Sequence, residues 1–223
     1  MIQQNIDRIY KKINEIKSSE QEVLLVAVSK YRSIESMMRV YEAGVKDVAE
    51  NRVQEFLQKY DQLPKDITWH LIGHLQTNKV KYVVGKVALI HSLDSLRLAE
   101  EIQKQSEKQK VVTDVLIQIN IADEASKFGF QKEEVKDAIE QIKTMPNIYI
   151  KGLMCIAPLD ATTQMLNNYF KEMKTIYENL KVLYNDTDRV NMHYLSMGMS
   201  GDFELAVQNG ANLVRIGSAI FEE

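Results

Sequence analysis

A short apolar run that reads as a β-strand, followed by a segment with helical spacing, recurs along this chain of 223 residues. The first run is VLLVAV at 23–28, apolar on both alternating faces and so suited to a strand buried on both sides. It gives way to SIESMMRVYEAG, a helix with Ser33 as N-cap and Gly44 at C′. The unit then repeats as KDVAE with NRVQEFLQKY, ITWHLIG with LQTNKVKYVV, VALIHSLD with SLRLAEEIQKQSEKQ, VVTDVLIQINIA with QKEEVKDAIEQIK, NIYIKGLMCIA with TTQMLNNYFKEMKTIYENL, and VNMHYLSM with GDFELAVQNG. ANLVRIG is the eighth strand. Eight such units predict an α/β fold, a single (β/α)8 TIM barrel over residues 1–223. A doubly wound open sheet is the rival. It is disfavoured because the strands are short and evenly spaced, and no G-x-G-x-x-G turn follows any of them. Ahead of the first strand, Ile2, Ile6, Ile9, Ile13 and Ile16 make one stripe of an extra N-terminal helix, expected to pack on the barrel.

Composition narrows the class further. With 28 basic and 31 acidic residues the net charge is −3, so no basic excess points to nucleic acid. The lone cysteine, Cys155, excludes an internal disulfide framework and fits a reducing compartment. The start, MIQQNIDRIYKKINEIK, lacks the apolar h-region of a secretory signal, and no apolar run approaches the ~20 residues that span a bilayer. These readings predict a cytoplasmic protein with no membrane or nucleic-acid partner, and a monomer by default.

In a barrel of this kind, chemistry sits at the C-terminal ends of the strands. The first strand delivers Lys30 there. Desolvation beside a dry strand would lower its pKa and make a nucleophilic amine able to form a Schiff base; a lysine that snorkels to solvent is the plainer alternative. LSMGMSGDFELAV follows the seventh strand, with Gly198 and Gly201 allowing close backbone approach and Ser200 or Asp202 able to cap the next helix. RIGS closes the eighth strand and adds Gly217 and Ser218. Two such turns at strands seven and eight make a phosphate cradle in this fold, or else two ordinary tight turns. Arg215 lies inside an apolar strand and needs an acceptor, either a neighbouring carboxylate or a bound ligand. His70 and His74 flank LIG in a strand without the glutamate of H-E-x-x-H, which reads as polar residues at a barrel rim rather than a metal site. Cys155 reads as a small buried hydrophobe, and Met37 and Met38 as core.

Taken together, AVSK at 27–30, ENRVQE at 50–55, WHLIGHLQTNK at 69–79, HSLDS at 91–95, SKFGF at 126–130, GLMCIAP at 152–158, LSMGMSGDFELAV at 195–207 and VRIGSAIF at 214–221 resemble the pyridoxal-phosphate homeostasis proteins. This family is also called the proline synthase co-transcribed homologues. The resemblance runs in order over nearly the whole chain. It implies a single barrel similar to the N-terminal domain of alanine racemase, carrying pyridoxal 5′-phosphate as a covalent aldimine on Lys30. It further implies that Arg215 faces the pyridine nitrogen and that Asn51 lines the cofactor near its ring face. Ser200, Gly201, Gly217 and Ser218 would then form the phosphate cradle. Two positions depart from the family pattern: Val48-Ala49 stand where Phe-Gly is usual, and Glu222 stands where a glycine usually follows Phe221.

The implied role is intracellular homeostasis of the cofactor, by buffering or by delivery to apo forms of pyridoxal-phosphate enzymes, without robust turnover. An arginine always donates to the ring nitrogen, which leaves that nitrogen unprotonated and weakens the ring as an electron sink. A racemase of this fold uses an opposing acid/base from a second domain, and the sequence in hand ends after strand eight. A single-domain amino-acid racemase is the alternative, with Lys30 as one base and Tyr31, His193 or a water as the other. A sugar aldolase using Lys30 without the cofactor is a third reading.

Overall fold

In a computed structural model of the chain, which describes residues 1–124, 127–184 and 189–222, eight parallel strands close into a barrel in sequence order. The strands are β1 Leu24–Val28, β2 Asp47–Glu50, β3 Thr68–Leu71, β4 Leu89–Leu93, β5 Thr113–Ile119, β6 Ile148–Cys155, β7 Val190–Ser196 and β8 Leu213–Ile216. Around them lie α1 Ile2–Ile16, α2 Ile34–Glu42, α3 Val53–Tyr60, α4 Leu96–Gln109, α5 Val135–Ile142, α6 Thr163–Tyr184, α7 Phe203–Gln208 and α8 Ser218–Phe221. The ring closes where β1 pairs with β8, with Val26 opposite Arg215 and Ala27 opposite Ile216. The predicted barrel is therefore the observed one.

Two concentric cores explain the apolar strands. Val26, Val28, Ala49, Ile72, Leu89, Leu116, Met154 and Leu213 pack together inside the barrel. The alternate positions, such as Leu25, Ala27, Val48 and Ile90, belong to the larger core between strands and helices. Strand β6 carries a register shift beside Gly152, whose φ is +142°. A side chain there would stand 1.9 Å from the Tyr194 carbonyl oxygen, so only glycine fits.

The sequence boundaries run a few residues long. The segment expected to be the third helix is a 3-10 helix, Thr77–Tyr82, because TNKVKY is poor in strong α formers and the chain turns at Gly85. A 3-10 turn at Lys132–Glu134 precedes α5, capped reciprocally by Gln131 and Glu134. Ser33 caps α2 as expected, its Oγ accepting from Ser36 N–H, with Gly44 left-handed just beyond Ala43.

The predicted N-terminal helix is α1, with Ile6, Ile9 and Ile13 buried and Ile2 and Ile16 half-buried against the core. It packs on α2, α7 and α8. Since α8 is a single turn, α1 fills the place in the helix ring that a full eighth helix would take. Asn5 Nδ2 holds the seam by donating to the carbonyls of Ile220 and Glu222, and Lys12 pairs with Glu204 on α7. Among the described residues, no helix is long and apolar enough to cross a membrane.

Candidate functional site

Barrel closure gathers the predicted residues from both ends of the chain onto four consecutive strands. Lys30 follows β1, Asn51 follows β2, Ser200 and Gly201 lie between β7 and α7, Arg215 is on β8, and Gly217 and Ser218 follow β8. A Cβ built on Gly217 would sit 3.5 Å from the Cβ of Val28, two residues before Lys30. All seven stand at or just inside the C-terminal mouth.

The residues on both sides of Lys30 are tied down. Ser29 is enclosed, and its Oγ donates to Glu50 Oε1 at 2.7 Å. Lys59 Nζ bridges the Ser29 carbonyl at 2.7 Å and Glu50 Oε1 at 2.5 Å in a buried ion pair. Tyr31 takes φ of +60°, and its N–H donates to Glu55 Oε2 at 3.0 Å. Lys30 itself is exposed. The expectation that it emerges into a dry strand end is corrected: β1 stops at Val28, Ser29 is the last enclosed residue, and the turn at Tyr31 carries Lys30 into the open mouth. Nothing in the sequence signals that Glu50, at the end of the expected strand KDVAE, meets Lys59 of the expected helix NRVQEFLQKY, or that Glu55 of that helix reaches Tyr31. Only the pairing of β2 with β1 brings Glu50 under Ser29.

The cradle is built from backbone N–H groups. Ser200 Oγ accepts from Gly217 N–H and Ala219 N–H, both at 3.2 Å, so two convergent donors hold one oxygen between the turns after β7 and β8. Ser200 thus bridges two loops rather than capping α7. Asp202 occupies the N-cap position of α7 without a capping hydrogen bond; its Oδ1 accepts from Met199 N–H at 2.5 Å. Gly201 is exposed with open space around it. Asn51 is half-buried, and its Oδ1 is enclosed without a hydrogen-bond partner. The backbone beneath it is fixed by Gly73, where a Cβ would stand 2.1 Å from the Asn51 carbonyl oxygen.

Arg215 is 3% exposed and pairs with no carboxylate among the described residues. Nη1 donates to Ser196 Oγ at 2.6 Å and Nη2 to the Cys155 carbonyl at 2.8 Å. Burial pulls its pKa down, opposed by the nearby Cys155 and Asp202. Below it, Ser196 Oγ lies 3.1 Å from His91 Nδ1, His91 Nε2 lies 2.9 Å from His70 Nδ1, and His70 Nε2 lies 3.0 Å from Asp47 Oδ1. His70 is therefore inside the barrel and not at its rim, contrary to expectation, because it shares the inward phase of Ile72. His74 is at the rim, its Nδ1 2.7 Å from Asp94 Oδ2 and its ring stacked on Phe128 at 3.7 Å. No cluster of three metal-type ligands occurs among the described residues. Cys155 is buried as expected, with burial pushing its thiol up to about 12. His193, a candidate opposing base, sits mid-strand on β7 out of phase with Tyr194 and Ser196, away from the mouth. Tyr31 does reach the mouth, 73% exposed. Ser126 of the SKFGF motif lies outside the described residues.

An amine at the mouth, a two-donor oxygen cradle and a buried guanidinium fit an aldehyde, a phosphate and a ring acceptor. The enclosed, unpartnered Asn51 Oδ1 adds an acceptor facing the same end. The donor set fits the cofactor that the sequence resemblance implies.

Comparison with known proteins decides the family. The family model described as alanine racemase, N-terminal domain, matches residues 4–223. A protein of Aquifex aeolicus named pyridoxal phosphate homeostasis protein is 43% identical over 219 residues, 98% of this chain and 94% of that one. The chain belongs to the pyridoxal phosphate homeostasis protein family. Among solved structures, PipY of Synechococcus elongatus without PLP has a TM-score of 0.90 at 30% identity, covering 99% of this chain and 100% of that one. PipY with PLP bound has a TM-score of 0.86, with the same identity and coverage. Membership in this homeostasis family accounts for the order in which the motifs run along the chain.

Proposed function

We propose that this protein binds pyridoxal 5′-phosphate through a covalent bond to Lys30 and buffers or delivers it in the cytoplasm, without robust turnover of a substrate. The observation that carries this reading is the pair of convergent donors, Gly217 N–H and Ala219 N–H, just after the strand that pairs with β1, where Ser200 Oγ is their acceptor. A phosphate oxygen taking the place of Ser200 Oγ on these two donors would anchor the cofactor with Gly201 and Ser218 alongside, and the Lys30 amine would add to the aldehyde carbon with loss of water. Asn51 lines the ring face, and Arg215 donates to the ring nitrogen. A guanidinium only donates, so that nitrogen keeps its lone pair engaged and unprotonated, which weakens the bound ring for carbanion chemistry. Relatives named for homeostasis, and the structure of PipY with PLP bound, support the role.

The partners on this reading are the cofactor and apo forms of enzymes that use it, and the protein acts as a monomer. Exchange needs only a second amine that replaces Lys30 on the same carbon. The test is the visible spectrum of the purified protein. A visible absorbance band from the imine of this cofactor should appear in the wild type and be lost in Lys30→Ala. Borohydride reduction followed by peptide mapping should mark Lys30. A Lys30→Ala protein that keeps the band rules out the covalent assignment.

The match to the alanine racemase domain favours a second reading, amino-acid racemisation with Lys30 as one base. Incubation with L-alanine in deuterated water separates the two. Enzyme-dependent α-deuteration with D-alanine formation, lost in Lys30→Ala, would establish the racemase.

A further inference from the structure

The interior of the barrel holds an uninterrupted file of hydrogen bonds: Arg215, Ser196, His91, His70, Asp47. Its two ends fix the outer links, and one tautomer of each imidazole carries that direction through the middle. A guanidinium only donates and a carboxylate only accepts. Ser196 Oγ accepts from Arg215, so its O–H is free to donate to His91 Nδ1. His91 then carries its proton on Nε2 and donates to His70 Nδ1. His70 in turn carries its proton on Nε2 and donates to Asp47. Each ring nitrogen is used once in this pattern. Burial above all holds His91 well below the ordinary histidine range, which agrees with an uncharged His91. A protonated His91 would add a second buried cation near the Arg215 guanidinium.

These side chains occupy interior positions that Val, Ile or Leu fill elsewhere in the same barrel. An apolar filling would avoid burying them, so their presence asks for a purpose. Two other groups face Arg215: Asp202, which is committed to Met199 N–H, and Cys155, which offers its carbonyl. The carboxylate linked to the guanidinium through hydrogen bonds is thus Asp47, on the opposite end of the barrel.

We infer that Ser196, His91, His70 and Asp47 are positioning residues for Arg215. They hold its guanidinium in one orientation and balance its charge from the far face, so that it meets the cofactor's ring nitrogen as a fixed hydrogen-bond donor. This rests on the cofactor reading above.

The test uses a ligand that lacks the atom in question. Wild type, Ser196→Ala and Asp47→Ala are titrated with pyridoxal 5′-phosphate and with its 1-deaza analogue, in which carbon replaces the ring nitrogen. Ser196→Ala is expected to lose about tenfold in affinity for pyridoxal 5′-phosphate, and Asp47→Ala to lose less in the same direction. Both should change less than twofold for the deaza analogue. Asp47 is partly exposed at the strand start, so its variant keeps the test available if Ser196→Ala melts early. Equal losses for both ligands would make the file a packing feature and overturn the inference, as would unchanged affinity for both. If the wild type binds neither ligand, the cofactor reading falls, and this inference falls with it.

Discussion

His91 shows how a single enclosed side chain sets a pH response. Its folded pKa lies well below 6.5, the value of an unhindered histidine, because burial above all, with the Arg215 charge nearby, disfavours the imidazolium. On acidification below about 6.5 the unfolded chain takes up a proton that the folded chain refuses. Stability from this group is therefore complete above pH ~7 and falls as pH drops through that window, by up to ~1.4 kcal/mol per pH unit. Urea unfolding at pH 7 and pH 5.5 should show the loss, and His91→Gln should flatten it. Cys155 offers a second residue-scale prediction. With its thiol raised to about 12 and enclosed, it should resist thiol reagents at pH 8 in the native protein and react fully in denaturant. Both residues were visible in the sequence, but only Cys155 was assigned its environment. His70 and His91 share strand parity with Ile72 and Leu89, and that period of two was the available clue to an inward face. Period alone does not tell which faces of neighbouring strands meet, so the file from Arg215 to Asp47 was not legible.

At the scale of elements, α1 and β6 make opposite points. The isoleucine stripe of α1 was plain in sequence, because a helix that docks on a barrel must repeat its apolar residues every three or four positions. Ile9→Ala on its buried face should cost ~2–4 kcal/mol, measured as a lower urea midpoint, whereas Tyr10→Ala on the outer face should cost far less. The irregularity of β6 was not visible. A glycine in a strand pattern can be accidental, and only the approach of the Tyr194 carbonyl shows why Gly152 is required. Gly152→Ala should be among the most damaging single substitutions, ~3 kcal/mol or more, seen as a large fall in melting temperature. The segment expected as an α-helix is 3-10 at Thr77–Tyr82, although Val80 with Val83 and Val84 beyond it have helical spacing. Spacing reports the buried face and not the hydrogen-bond pattern.

For the whole molecule, the decisive contact joins the first strand to the last. Pairing of β1 with β8 closes the ring, and α1 then seals the outer face over that seam. Such non-local closure predicts one cooperative unfolding transition, with amides of β1 and β8 exchanging only through global unfolding. Hydrogen exchange that released β8 well before β1 would contradict it. The strand-helix alternation, the apolar runs and the N-terminal stripe determined the barrel from sequence alone, because periodicity encodes which faces must leave water. The motifs around Lys30, Ser200, Arg215 and Gly217 likewise marked the mouth and its family. Tertiary structure decided the rest: that Lys30 stands exposed beyond an enclosed Ser29, that Lys59 and Glu50 brace it, and that Asp47 answers Arg215 through three buried side chains. These are relations between strands far apart in the chain. They depend on register and direction across the closed sheet, which local sequence does not contain.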